Sequence, residues 1–138
     1  MNFSVKNLSL VFMAGLFGGL LNCLAVWLFG RLGIAQALGV QIAPPLTTTM
    51  LYSKLVWGGI WGLLFLIPLG RVSFPVRGLL FGLGPSLVQL FIVFPVQAQK
   101  GVLGLQLGAL TPLFVLFYNA VWGVAAGWWL NLVRQDQV

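Results

Sequence analysis

Lys54 is the residue of this sequence that most needs a partner. It stands in MLYSKLVWGGIWG, about four residues inside an apolar run, where a charge is costly unless something receives it. An ammonium on a flexible stem can hold an anion or a lipid phosphate, and neighbouring amides can add donors. The other apolar runs offer polar groups at comparable depth: Asn22 in the first, Gln89 in the third and Asn119 in the fourth, with Tyr118 and Ser86 beside them. Together these residues form a candidate polar cluster for an anion or a lipid-like solute. A plainer account competes with it, and the sequence favours the plainer one. In that account Lys54 snorkels to the headgroups and the amides bond between helices, each such bond contributing about 0.6–2 kcal/mol.

The residue types that are missing narrow the chemistry further. There is no histidine, and the single acidic residue is Asp136, in the C-terminal tail. Axial histidines for haem, carboxylate proton relays, carboxylate-rich metal sites and Ser-His-Asp catalysis are therefore excluded within this chain. No phosphate-binding loop of the GxxxxGK[ST] type occurs. The expectation is no enzyme, with no catalytic, cofactor-binding or metal site. The membrane-embedded glutamate of small multidrug exporters is absent. The Thr run at 47–49 precedes the second apolar run and lacks the surrounding pattern of small fluoride channels. Cys23 is alone, so no intrachain disulfide forms, and it reads as a small packing residue.

The elements that must position the cluster are long apolar runs. The chain has 138 residues, 60% hydrophobic and 6% charged, with a mean hydropathy of +1.05. A soluble domain needs far more charge to cover its surface. Four runs, about 9–30, 50–70, 74–95 and 111–133, are each long enough to cross a hydrocarbon core of about 30 Å as a helix. The first is too long for a signal peptide, whose apolar region is about 7–15 residues. LLNC at 20–23 makes a poor lipoprotein site, because apolar sequence resumes at once. The net charge of +6 comes from basic residues scattered singly between runs, which argues against nucleic acid. Lys6, Arg71, Arg77 and Arg134 share the side of the termini, against Arg31, Lys54 and Lys100 on the other. That slight excess predicts cytoplasmic termini in a bacterial or bacterial-type inner membrane.

The sequence also repeats itself. A shift of 65 pairs Leu38, Gly39 and Gln41 with Leu103, Gly104 and Gln106. The same shift pairs Trp57, Gly58 and Gly62 with Trp122, Gly123 and Gly127, and Lys54 with Asn119. A shift of 63 pairs Gly15 and Gly19 with Gly78 and Gly82. Each run thus carries a GxxxG, whose glycines share a helix face and let a second backbone approach closely. Their similar depth predicts a tight waist where the four helices meet.

The expected fold is an all-α integral membrane protein in one membrane domain, 1–138. Its four transmembrane helices form two parallel span–loop–span repeats, about 9–70 and 74–133, related by an axis along the membrane normal. The bundle is GxxxG-packed, with short apolar interfacial segments in the loops between helices one and two and between three and four. Pro44-Pro45 ends the first of these segments, and Thr47–Thr49 offer caps to the second helix. The function expected from this pattern is a non-enzymatic scaffold or accessory subunit in the lipid bilayer, packed against its own copies or other membrane subunits. The alternative is a small channel or carrier working through Lys54 and Asn119.

Overall fold

The computed structural model describes residues 2–135, so Asp136 lies outside the described residues. Among them there is helix and no strand. Four helical stretches are long and apolar enough to cross a membrane: Val5–Arg31, Thr48–Leu66, Phe74–Gln97 and Thr111–Arg134. They are compatible with an integral membrane protein.

Helix α1 (Val5–Arg31) begins earlier than the apolar run at Ser9 because Ser4 caps it. The Ser4 backbone is extended, and its Oγ accepts the Asn7 N–H at 3.1 Å. A short α2 (Ile34–Ala37) follows Gly33, whose φ of 79° reverses the chain. Helix α3 (Thr48–Trp61) is capped in the same way, with Thr47 Oγ1 accepting the Met50 N–H at 3.1 Å. A 3-10 turn, Gly62–Leu66, completes this stretch.

The stretch stops at Leu66 rather than near residue 70. Ile67 turns extended immediately before Pro68, whose ring crowds the backbone of the residue it follows. Arg77 then braces the turn, donating from Nε to the Val72 carbonyl at 3.0 Å and from Nη2 to the Gly70 carbonyl at 2.9 Å.

The third stretch is not one regular helix. It comprises α4 (Phe74–Phe81), α5 (Leu83–Val88) and a π-helical segment, Gln89–Gln97. Pro95 has no N–H for the carbonyl four residues back, and its ring would clash there, so the backbone widens around it. The wider bonding is carried past the segment by the Ala98 N–H, which reaches the Val93 carbonyl at 2.8 Å. Helix α6 (Thr111–Gln135) is the last.

Helix α1 packs on α3 and α6, and α6 packs on α4. At the end of the bundle that carries the termini, the 3-10 turn meets α4 and closes the group. Fully buried Phe65 stands edge-on to Phe81, with ring centroids 5.2 Å apart, in a core with Phe74, Trp122 and Leu130. At the other end the loops join, as the Gln41 N–H donates to the Leu107 carbonyl at 2.8 Å above buried Val40. There α3 and the 83–97 stretch pack little against each other, meeting where the Trp61 ring reaches Gly84. The bundle is closed at one end and split at the other.

Candidate functional site

Lys54 lies six residues after Thr48, so at 1.5 Å per residue it sits about 9 Å below the start of α3. It is half-buried and faces the split. On α1, buried Asn22 donates from Nδ2 to the Tyr118 carbonyl at 2.7 Å. A carbonyl only accepts, so this bond fixes the amide orientation and turns Oδ1 elsewhere. Neither Asn22 Oδ1 nor the buried Tyr118 hydroxyl has a hydrogen-bond partner. Buried polar groups are nearly always paired, so two orphans on neighbouring helices mark an unfinished polar region.

Ser86 and Asn119 behave differently. The Ser86 hydroxyl donates to the Gly82 carbonyl at 2.7 Å and accepts from Asn119 Nδ2 at 3.0 Å. This pair ties α5 to α6, and Asn119 also lines the lower of two cavities. The cluster read from the sequence therefore divides into a closed structural pair, Ser86 and Asn119, and an open group of Lys54, Asn22, Gln89 and Tyr118.

The open group surrounds two adjoining cavities. The upper one, about 520 Å³, lies under Gln41–Pro44 between Val26, Met50, Phe94 and Val115. The lower one, about 440 Å³, runs between Trp57 and Trp61 on one side and Val88 and Ile92 on the other, down to Trp122. Asn22, Lys54 and Gln89 belong to both walls. No described residue is acidic, so no side-chain carboxylate faces the ammonium. The Lys54 ammonium and the Gln89 amide, on a cavity without a counter-charge, suit an anion, whereas the free atom of Asn22 is an acceptor.

The glycines singled out in the sequence sit where backbones touch. A Cβ on Gly15 would collide with Gly58, and one on Gly78 with Gly123. Gly62 abuts the Val11 carbonyl and Gly127 that of Phe74, while Gly19 abuts the Lys54 carbonyl and Gly82 that of Asn119. The crossings lie side by side, and all four stretches contribute to one core around Trp122. Each hairpin has its own crossing, and the two are joined where Gly18 abuts Trp122.

Two features were missed in the sequence. The Trp122 indole N–H is shared between the carbonyls of Gly15 and Gly58, 3.3 Å from each, and makes the cavity floor. A tryptophan opposite GLFGGLL was the available signal. The cover formed by Gln41–Pro44 had none beyond its apolar character.

No family model, curated protein or solved structure matches the chain.

Proposed function

We propose that this is a non-enzymatic membrane protein that receives an anionic solute at Lys54, acting as a small carrier in the loop-side half of the bilayer. The observation that supports it most is the ammonium of Lys54 on the wall shared by two cavities, with no acidic residue described near it. Insertion scales put a lysine at a helix centre at about 2.5–3.5 kcal/mol, a cost that a bound anion offsets.

The frame for this site is a duplicated, glycine-crossed hairpin. Adding 63 to α1 positions and 65 to α3 positions turns Gly15–Gly58 into Gly78–Gly123, Gly19–Lys54 into Gly82–Asn119, and Val11–Gly62 into Phe74–Gly127. All six of these contacts occur. Such agreement supports parallel repeats held by GxxxG faces. In the membrane the termini lie on the cytoplasmic side, following the small excess of basic residues there.

In the repeat Lys54 corresponds to Asn119; both line the lower cavity, and only Asn119 has a side-chain hydrogen-bond partner, Ser86. The site thus arises where the two copies differ.

The test is anion uptake and binding in proteoliposomes, using chloride, phosphate, a short carboxylate and a fatty acid. At least one should show a Lys54-dependent signal, lost in Lys54→Ala and kept in Lys54→Arg. If every anion behaves alike with and without Lys54, the reading is abandoned.

An accessory subunit is the second reading. The glycine faces that motivate it are met by neighbours in the same chain, which weakens it. One observation favours it: a groove of about 460 Å³ along α1 and α6, floored by Ala120, Val124 and Ala125 between Leu21 and Trp128. An oligomer or complex surviving mild detergent supports this reading, and a lone monomer removes it.

A further inference from the structure

We infer that the solute is an amphiphile, one anionic headgroup on an aliphatic chain, loaded sideways from the bilayer. This rests on the anion reading of Lys54 and goes further by asking how a ligand reaches it and what surrounds its remainder.

Loop backbone borders the cavities on the side of the aqueous phase. Gln41–Pro44 lines the top of the upper cavity, and the Gln41 N–H is tied to the Leu107 carbonyl across the two loops. The route from the termini is floored by Trp122, whose indole bridges the Gly15–Gly58 crossing.

The side is open instead. Low in the split, the Trp61 ring reaches Gly84, lying 3.2 Å from where a Cβ would stand. Higher up, Ser53 and Trp57 on α3 face Ile92 and Gln97 across the lower cavity, and all four are exposed. In a bilayer that gap opens onto acyl chains. A headgroup entering there meets Lys54 and Gln89, while the chain behind it lies against Trp57, Val88 and Ile92. Each cavity falls in the roughly 300–1,000 Å³ range of small-molecule sites. A bare inorganic anion would leave the apolar arm unused, and a neutral lipid would leave the ammonium unpaired.

Retained ligands can be counted by native mass spectrometry of the whole chain in neutral detergent. The probes are phosphatidylglycerol, oleate, phosphatidylcholine and inorganic phosphate, with thermal unfolding as a second readout for phosphate. The wild type should retain one phosphatidylglycerol or one oleate at least tenfold above phosphatidylcholine, and the preferred arm tells a phospholipid source from a fatty acid. Lys54→Gln should abolish that preference, and Lys54→Arg should restore it. Ile92→Trp, a lipid-exposed change that fills the lower cavity, should cut amphiphile retention tenfold while phosphate still stabilises the protein through Lys54. If phosphate stabilises in a Lys54-dependent way but neither amphiphile is preferred, the amphiphile inference falls and the anion reading stands. If no probe depends on Lys54, both fall.

Discussion

Ser86 and Asn119 show what a completed polar contact between these helices requires: a donor, an acceptor, and a hydroxyl using both capacities. A double-mutant cycle of Ser86→Ala and Asn119→Leu should give a coupling of about 0.6–1.7 kcal/mol in denaturing-detergent titrations. Ser86→Ala should leave anion binding intact, because Ser86 lines neither cavity, whereas Asn119 lines the lower one. Asn22 and Tyr118 make the contrasting case. Asn22→Leu removes the bond to the Tyr118 carbonyl together with the orphaned Oδ1, an acceptor that offers nothing to an anion, so it should weaken the fold more clearly than it weakens binding. Measuring the two in one preparation separates the roles, and a purely structural Asn22 would shift only the unfolding midpoint. The sequence reading found these residues by depth alone. It could not sort them, because sorting depends on which helix each side chain reaches.

Glycine crossings decide how the elements meet. Gly15→Val and Gly78→Val each drive a side chain into a facing backbone, so each should cost about 1–3 kcal/mol or prevent folding. Similar losses at both positions are the signature of a duplicated hairpin, and a large disparity would argue against it. Gly84→Ala is the control, since its Cβ meets only the ends of Trp61 and Leu64 and should change the midpoint little. The four apolar stretches were legible because hydrocarbon thickness imposes one length on every crossing helix. The stop at Leu66 is signalled by Pro68, a candidate helix terminator in the sequence, although the apolar content continues to Leu69. The π-helical Gln89–Gln97 was not legible. Pro95 signalled an irregularity there, but whether a helix kinks, ends or widens at a proline is decided by what packs around it.

For the whole molecule, the closed end and the split end predict a sidedness that labelling can read. In a Cys23→Ala background, cysteines replacing Asn2 and Val72 should react from one side of sealed vesicles, and those replacing Leu38 and Gln99 from the other. Mixed reactivity within either pair would refute the four-crossing arrangement. The same asymmetry would make the proposed binding region one-sided, bordered by Gln41–Pro44 and floored by Trp122. The chain has three lysines, Lys6, Lys54 and Lys100, which gives the most direct test of the central claim. With 13C-labelled lysine side chains, the Lys54 signal, assigned by its loss in Lys54→Gln, can be followed as phosphatidylglycerol or oleate is added in neutral detergent. A Lys54 shift that saturates near one equivalent, while Lys6 and Lys100 move little, is the predicted result. Three signals drifting together without saturation would place Lys54 among ordinary headgroup lysines and contradict the account.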